Sequence, residues 1–541
     1  MTANAITAAE QALACAGAIV DAATRRLAAT AVRSNNVDID GLDAQQLLAY
    51  DLAHVASAIE AAHAMLRYAA YGSFETDLAC AFIADTLADI QHRVTGREAA
   101  WGIAPDALAP ARAFLETYRD PAWLAALGDR VATAGTGAAH LDADFELARE
   151  TFRRFARDRI RPVAESIHRE DRDIPETIIA GLAELGGFAL SVPEEFGGFA
   201  AGGPEDYLAM VIATEELAWG SLGVGGSLIT RPEIVTRALV AGGTETQKQR
   251  YLPRIASGEL MCGIMVTEPD FGSDVAGLTV TATAVDGGWR INGTKTWCTF
   301  AGRADLLLLL ARTDPDRSLG HRGLSLFLIE KPPAPGHAFR FESEGGTMEG
   351  RAIATLGYRG MHSFEVAFTD WFVPADQLVG GESGLGRGFY LQMEGFENGR
   401  LQTAARAVGL MQAAFDDALA YASGRSIFGR TEFSYQLSKG KLARMAMLIA
   451  AGRQFSYAVA HKMAGGHGAL EASMVKAYVC RAAEWVTREA MQLHGGMGYA
   501  EEYLVSRAFV DARVLSIFEG TDEVLCLRVI ARRLVEQHLE G

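Results

Sequence analysis

A chain of 541 residues, of which 49% are hydrophobic and 22% charged, is typical of a globular protein with several domains. Its formal net charge of −17 argues against a nucleic-acid-binding protein, since such proteins need a basic surface to neutralise phosphates. The six cysteines form no CxxC pair and the twelve histidines show no metal-ligand spacing, so we expect neither a disulfide framework nor a metal site.

The composition divides the chain into four stretches. Residues 1–140 are predicted to form a helical N-terminal extension, and GTGAAHLDAD at 135–144 is typical of a linker. Helical periodicity returns over 144–260, strand patterns occupy 261–375, and long helices are predicted again over 385–541. The expected fold class is therefore mainly α with a central β domain and an N-terminal helical extension.

Strand signals are clearest in the central stretch. Residues 278–297 alternate in the manner of a strand and carry two hairpin signals, Asp286-Gly287 and Asn292-Gly293. Further strands are predicted at 305–312, 323–330, 338–342 and 363–373.

No segment is expected to span a membrane. The longest strongly apolar run, at 306–311, has only the length of a strand. The N-terminus carries Glu10 and Asp21 in an alanine-rich helical pattern, which is unlike a signal peptide. A cytoplasmic location is the expected default.

Four short stretches could bind a ligand. In TEPDFGSD (267–274), a turn offers hydroxyl and backbone N–H groups, although such a loop can also be purely structural. In KTWCTFAG (295–302), Trp297 and Thr299 are two apart on a predicted strand, where an indole could cover an aromatic ring or simply belong to the core. The stretches GRSIFGRTEFSYQ (424–436) and MQLHGGMGY (491–499) fit a diphosphate-binding arginine pair and a close backbone approach, or else a solvated turn and a helix cap.

In the stretch LSIFEGTDEV (515–524), Glu519 follows the apolar residues Leu515, Ile517 and Phe518 and precedes Gly520 and Thr521. A buried, unpaired carboxylate has a raised pKa, which suits a proton acceptor. The alternative is an acid that begins a helix and is stabilised by the helix dipole.

These stretches, in this order and at these separations, resemble the acyl-CoA dehydrogenase family of flavoproteins. LSVPEEFGG (190–198) and LGYRGMHSFEVAFTDWFVP (356–374) add to the resemblance, which extends from about Phe145 to the C-terminus. It implies an α-helical domain, a middle β domain and a C-terminal four-helix bundle, with FAD as cofactor. Residues 1–140 are not covered by it.

The resemblance also implies which residues act. The expected catalytic base is Glu519. The FAD-binding positions are Met265, Val266, Thr267, Ser273, Trp297, Thr299, Arg425, Phe428, Gln436, Gln492, Leu493, Gly495, Gly496, Thr521 and Glu523. The substrate-binding candidates are Ser273, Thr230, Arg231, Glu397, Arg400 and Gly520.

The implied chemistry is α,β-dehydrogenation of an acyl-CoA thioester. Glu519 would take the weakly acidic α-proton while the β-hydride passes to the flavin, giving a trans enoyl-CoA. Some family members place the base just before an arginine at the start of the C-terminal bundle. That position holds Gly399 here, although Glu397 is near enough to test.

Residues 222–233 are implied to form the helix at the floor of the acyl pocket. Val224 stands where glutaryl-CoA dehydrogenases carry an arginine, but Thr230 and Arg231 follow further along. An arginine beside a small pocket would favour an acidic acyl chain; the alternative is a surface arginine. With its N-terminal extension and Glu519, the chain resembles the family members that oxidise (2S)-methylsuccinyl-CoA to mesaconyl-CoA, and the resemblance implies this reaction in the ethylmalonyl-CoA pathway.

The expected partners are electron-transferring flavoprotein and further copies of the chain, as a homodimer or homotetramer. Two alternatives remain: a butyryl-CoA or isovaleryl-CoA type of dehydrogenase, and an acyl-CoA oxidase that passes its electrons to oxygen. Neither a nucleic acid nor a membrane is an expected partner.

Overall fold

The computed structural model describes residues 2–540, apart from the side chains of Thr2 and Pro204. Two compact units are present, one formed by residues 1–146 with 403–541 and the other by residues 147–402. Helices α8 (Ala143–Phe155) and α14 (Gly388–Gly424) contribute residues to both units. The division into four stretches of sequence remains a prediction.

The first unit is almost entirely helical. Its N-terminal elements are α1 (Thr2–Ala31), β1 (Val32–Arg33), β2 (Asn36–Val37), α2 (Ile39–Asp43), α3 (Gln46–Ala69), α4 (Ser73–Val94), α5 (Glu98–Trp101), α6 (Arg112–Tyr118) and α7 (Pro121–Ala134). Its C-terminal elements are β11 (Ser426–Ile427), β12 (Arg430–Thr431), α15 (Gln436–Ala464), α16 (Ala469–Leu493), α17 (Leu504–Leu515), α18 (Asp522–Val524) and α19 (Arg532–Glu540).

The N-terminal helices pack directly on the C-terminal ones within this unit. Helix α3 contacts both α15 and α16, and α7 contacts α15. The α7–α15 contact is close at Gly128, where an added Cβ would come within 2.6 Å of the Lys439 carbonyl oxygen. Asp120 begins α7 by accepting hydrogen bonds from the N–H groups of Ala122 and Trp123.

Helix α1 contains a stretch, Ala3–Ala31, that is long and apolar enough to cross a membrane by length and composition. This corrects the expectation that the chain has no such segment. The helix also has a regular buried stripe that includes Leu13, Ile19 and Leu27. That periodicity is typical of a helix packed on a protein core, and α1 contacts α3 and α4.

The second unit combines helices with one large sheet. Its helices are α9 (Arg161–Glu170), α10 (Glu176–Glu184), α11 (Pro204–Gly220), α12 (Thr230–Gly242) and α13 (Glu245–Ala256). Its strands are β3 (Cys262–Met265), β4 (Thr281–Val285), β5 (Gly288–Thr299), β6 (Leu306–Arg312), β7 (Leu324–Glu330), β8 (Ala338–Ser343), β9 (Gly346–Ile353) and β10 (Ser363–Pro374). The sheet order is β3-β6-β4-β5-β10-β9-β8, with β7 paired to β6.

The sheet has an apolar core on each face. Strand β6 is buried throughout, and its residues alternate between the cores: Leu306, Leu308 and Leu310 join one, while Leu307 and Leu309 join the other. A strand covered on both faces is an uninterrupted apolar run, as the sequence shows. The predicted fold class, mainly α with a central β domain, is confirmed.

The two predicted hairpins have different outcomes. Asp286 and Gly287 join β4 to β5 as expected, whereas Asn292 and Gly293 lie within β5. The second prediction is wrong because Asn292 pairs across the sheet with Asp370, its amide nitrogen donating to the carboxylate at 2.9 Å. Gly293 is needed for a different reason, since a Cβ there would meet Val280 at 2.9 Å.

Candidate active site

A short closed loop carries Glu519. Helix α17 ends at Leu515, and the Asp522 N–H donates to the Ser516 carbonyl oxygen at 3.1 Å, which joins the two ends of the loop. Inside it Glu519 has a φ of 57°, a backbone conformation that is costly for a residue with a side chain and is often found at functional sites. Thr521 is the N-cap of α18. Glu519 is therefore not an acid in the first turn of a helix.

The Glu519 carboxylate is enclosed and held at both oxygens. Its side chain is 5% exposed. Arg406 Nη2 donates to Oε1 at 2.9 Å, and the Thr403 hydroxyl donates to Oε2 at 2.6 Å. Arg406 is itself fully buried and lies over the Phe518 ring at 4.7 Å. The expectation of an unpaired carboxylate is wrong, because a charge this deeply buried needs an opposite charge and hydrogen-bond donors.

This pairing leaves the carboxylate able to react. A guanidinium next to a carboxylate favours its ionised form, which is the form that accepts a proton. Each carboxylate oxygen has two lone pairs, so the bonds from Arg406 and Thr403 do not by themselves use up its acceptor capacity. The arrangement is that of a charged, oriented and poorly hydrated proton acceptor.

The FAD-binding positions predicted in the β region lie in the second unit. They form two segments, Met265 to Ser273 and Trp297 to Thr299. Trp297 is 54% exposed and has a φ of 56°, at a bulge where two residues of β5 lie opposite one residue of β10. A bulge redirects a side chain, and here it interrupts the expected alternation. Thr299 is buried and its hydroxyl lies 3.0 Å from that of Ser363. Met265 and Val266 are also buried, whereas Ser273 is exposed on the loop that follows.

A buried ion pair fastens this loop to β5. The Glu268 carboxylate accepts a hydrogen bond from Lys295 Nζ at 2.9 Å. It also accepts from the backbone N–H groups of Thr279 and Val280. Lys295 Nζ donates a second bond, to the Val266 carbonyl oxygen at 2.8 Å. Burial lowers the pKa of Lys295 to about 8. Burial alone would raise the pKa of Glu268, but Lys295 and the hydrogen bonds hold it below its ordinary value. Sequence analysis missed this pair, since Glu268 and Lys295 are 27 residues apart.

We expect Glu268→Gln to lower the free energy of unfolding by about 3 to 5 kcal/mol, because it leaves the Lys295 ammonium buried without its counter-charge. Thermal melting followed by circular dichroism measures the change. The double variant Glu268→Gln with Lys295→Met removes both charges and should recover much of the loss. A single variant as stable as the parent would contradict the structural role of the pair.

The remaining expected FAD positions lie in the first unit, mostly on its surface. Arg425, Phe428 and Gln436 are exposed, and Phe428, at 96% exposure, forms the turn between β11 and β12. Helix α16 ends at Leu493, which is buried, and the exposed Gly495 and Gly496 follow it. Thr521 uses its hydroxyl to cap α18, and Glu523 is exposed. A half-exposed indole (Trp297), an exposed hydroxyl (Ser273) and an exposed arginine (Arg425) are donors and surfaces that fit FAD.

Two of the predicted substrate-binding residues, Thr230 and Arg231, are the first residues of helix α12. Thr230 and Arg231 are 0% and 7% exposed, which excludes the alternative of a surface arginine. Arg231 Nη2 lies 3.5 Å from the Tyr358 hydroxyl, which can accept from it. The expectation of one helix over 222–233 is wrong: Leu222–Gly226 form a short π-helical turn, and α12 starts at Thr230. Glycines permit this turn to pack closely, since a Cβ at Gly225 would meet the Leu217 carbonyl oxygen at 2.6 Å.

Another buried acid, Glu233, which was not predicted, lies two residues beyond Arg231. Glu233 is 1% exposed and accepts from Arg237 Nε at 3.0 Å, from Gln402 Nε2 at 2.8 Å and from the Asn398 amide. The signal available was the spacing of four on each helix, Glu233 with Arg237 and Asn398 with Gln402. Glu233 therefore has an ion-pair partner in Arg237 and hydrogen-bond donors on α14.

Glu397, the alternative acid, is half-buried on α14 near Arg400. Burial raises the pKa of Glu397, and Arg400 opposes the rise. Gly399 occupies the position where some family members have their base.

Among the residues that the structure describes, two groups of side chains come close enough to hold a metal ion, although the sequence predicts no metal site. They are His54 with Asp522 and Cys526, and Asp171 with His337 and His362. Both are formed by residues far apart in sequence, which spacing rules do not detect.

An enclosed carboxylate that is oriented by an arginine and a threonine is typical of an enzyme that transfers a proton. Sequence models of the acyl-CoA dehydrogenase N-terminal, middle and C-terminal domains match residues 142–259, 263–371 and 386–535. The chain belongs to the acyl-CoA dehydrogenase family. It is accordingly an FAD-dependent enzyme with acyl-CoA dehydrogenase activity.

Individual relatives agree with this assignment. The chain is 42% identical over 414 residues to (2S)-methylsuccinyl-CoA dehydrogenase of Cereibacter sphaeroides, covering 76% of this chain and 73% of that one. It resembles the structure of butyryl-CoA dehydrogenase from Megasphaera elsdenii with a TM-score of 0.66 and 30% identity, over 72% of this chain and 98% of that one. Glutaryl-CoA dehydrogenase from Mycobacterium smegmatis, solved in complex with FADH2, matches with a TM-score of 0.64 and 26% identity, over 73% and 95%.

Proposed function

We propose that the protein oxidises a short, branched dicarboxylic acyl-CoA, specifically (2S)-methylsuccinyl-CoA to mesaconyl-CoA, with Glu519 as the base. The observation that carries the proposal is the Glu519 carboxylate, 5% exposed and held by Arg406 and Thr403. Electrons would pass to electron-transferring flavoprotein. The reaction would belong to the ethylmalonyl-CoA pathway and take place in the cytoplasm.

Glu519 performs the proton step in this proposal. A thioester α-proton is weakly acidic, so its removal needs an oriented base in a site with little water. Arg406 and Thr403 fix the carboxylate and so hold the accepting oxygen in one position. Bound FAD supplies the hydride acceptor for the β-carbon, and Trp297 and the loop that carries Ser273 are the residues proposed to hold it.

Arg231 supports an acidic acyl chain. A guanidinium that is only 7% exposed can form a strong, charge-assisted hydrogen bond to a carboxylate in a poorly hydrated environment. The match to a methylsuccinyl-CoA dehydrogenase supports the same substrate.

Assembly of several copies is part of the proposal. Phe428, Leu437 and Tyr499 are large apolar side chains with exposures of 96%, 72% and 83%. Apolar side chains this exposed are favourable contacts for a protein partner. A homodimer or homotetramer would cover them.

Reaction with a panel of CoA thioesters tests the proposed substrate directly. The yellow protein is mixed anaerobically with (2S)-methylsuccinyl-CoA, butyryl-CoA, isovaleryl-CoA and glutaryl-CoA, and flavin absorbance is followed in a stopped-flow instrument. We expect (2S)-methylsuccinyl-CoA to bleach the flavin fastest. If butyryl-CoA or isovaleryl-CoA bleaches the flavin faster, the enzyme is a dehydrogenase of the butyryl-CoA or isovaleryl-CoA type, which acts on a monocarboxylic acyl chain.

The electron acceptor is tested on the same reduced protein. Reoxidation by electron-transferring flavoprotein is compared with reoxidation by dissolved oxygen. We expect the flavoprotein to be the faster acceptor by a wide margin. Reoxidation that is faster with oxygen would make the enzyme an acyl-CoA oxidase.

A further inference from the structure

The N-terminal helices contact the segment that carries Glu519 through a small buried polar cluster. Tyr50 and His54, four residues apart on one face of α3, both reach Asp522. The Tyr50 hydroxyl donates to Asp522 Oδ2 at 2.6 Å, and His54 Nε2 lies 3.0 Å from the same oxygen. Since a carboxylate only accepts, this nitrogen carries the hydrogen. The rings of Tyr50 and His54 meet edge to face at 4.7 Å.

Asp522 is the residue at which the loop of Glu519 closes. Its backbone N–H donates to Ser516, so any movement of Asp522 moves the closing bond of residues 516–522. Glu519 lies at the middle of this loop with a strained, left-handed backbone that neighbouring contacts must maintain. Gly520, between them, is held through its carbonyl oxygen by Lys476.

The cluster of Tyr50, His54 and Asp522 is largely buried, so its hydrogen bonds replace water as the partners of the Asp522 carboxylate. His54 and Asp522 are 5% and 8% exposed, and Cys526 Sγ lies 3.4 Å from His54 Nε2. Burial alone would raise the pKa of Asp522, but the hydrogen bonds from His54 and Tyr50 hold it below its ordinary value. Without these donors Asp522 would be a buried charge with too few partners, and the loop would rearrange to hydrate it.

We propose that Tyr50 and His54 are positioning residues, which hold Asp522 and thereby fix the loop that orients Glu519 for proton abstraction. The N-terminal extension would then hold the catalytic loop, residues 516–522, in place. We call Tyr50 and His54, the residues that do so, the brace. This inference rests on the proposed role of Glu519, because it assigns the brace to the same proton step.

The test compares variants that differ in the donors offered to Asp522. His54→Leu removes one donor, Tyr50→Phe removes the other, and His54→Gln restores an N–H at a similar position. Asp43→Asn is the matched control, because it breaks an exposed ion pair, Asp43 with Arg528, also between the N-terminal and C-terminal segments. FAD content, KM and anaerobic flavin bleaching are measured for each holoenzyme with the thioester that the parent uses best.

We expect His54→Leu to slow bleaching by about 10- to 100-fold with KM and FAD content close to those of the parent, since a misplaced base costs rate. Tyr50→Phe should show a smaller loss, and His54→Gln should recover most of the rate. With substrate deuterated at the α-carbon, the isotope effect on bleaching should increase in His54→Leu, while the β-deuterium effect should not. A purely structural loss of active protein would change neither isotope effect.

Three results would overturn the brace. They are bleaching at the parent rate in both His54→Leu and Tyr50→Phe, a rate loss without an increased α-deuterium effect, and an equal loss in Asp43→Asn. If His54→Leu fails to fold, Tyr50→Phe and His54→Gln decide the question by the same readouts. Glu519→Gln is measured in parallel: if it still bleaches, the proposed function fails, whereas if only the brace variants react normally, the brace alone fails.

Discussion

Glu519→Gln should bind FAD and remain yellow, yet lose bleaching by (2S)-methylsuccinyl-CoA by at least about 10³-fold. The amide keeps the shape of the carboxylate: its oxygen can accept from Arg406, and its NH₂ can donate to the Thr403 hydroxyl. What it loses is the capacity to accept a proton, and positioned general bases contribute about 10²- to 10⁴-fold in rate. Stopped-flow bleaching under anaerobic conditions gives the rate directly.

Two further variants make this result interpretable. Glu502→Gln makes the same chemical change at an exposed acid outside the proposed site and should bleach at the parent rate. Glu519→Asp keeps the charge but withdraws it by one methylene, so we expect an intermediate rate. Bleaching of Glu519→Gln at close to the parent rate would remove Glu519 from the reaction and make Glu397 the next acid to test.

Arg406 is the part of this site that the sequence did not predict. The resemblance to the family identifies Glu519, which follows an apolar triplet, but Arg406 is 113 residues away and gives no local signal. An acid directly after apolar residues was therefore interpreted as unpaired, whereas folding supplies its partner from α14. The same limit explains why the Tyr50, His54 and Asp522 cluster, which joins residues more than 460 positions apart, was not foreseen.

The fold was more accessible to sequence analysis than the polar pairs. The continuously buried strands β6 and β7 and the partly alternating strand β10 were predicted because burial on one or both faces leaves a direct record in hydrophobicity. Strand β9 was missed, since GTMEGRAI carries two glycines and mixed polarity and owes its conformation to pairing with β8 and β10. Asn292-Gly293 resembled a turn for the converse reason: a cross-strand bond to Asp370 overrides the local preference.

Arg231→Met should reduce kcat/KM for (2S)-methylsuccinyl-CoA by about 10²- to 10³-fold while changing that for butyryl-CoA less than about threefold. Truncating one partner of a buried, hydrogen-bonded charge pair costs about 2 to 5 kcal/mol, largely because the other charge is left unpaired. Methionine is chosen because it preserves much of the volume of this 7% exposed side chain and leaves a smaller cavity than alanine.

The substrate provides the second arm of a double-mutant cycle. In 2-methylbutyryl-CoA a methyl group replaces the distal carboxylate, so the ratio of rates for the two thioesters, measured in parent and variant, isolates the coupling between Arg231 and that carboxylate. Arg231→Lys retains a positive charge without the planar fork and should keep part of the preference. An equal loss on both thioesters would mean that Arg231 supports packing near Tyr358 and not charge recognition. The dicarboxylic substrate would then lose its structural argument, while the proton chemistry assigned to Glu519 would be unaffected, because the two variants change different steps.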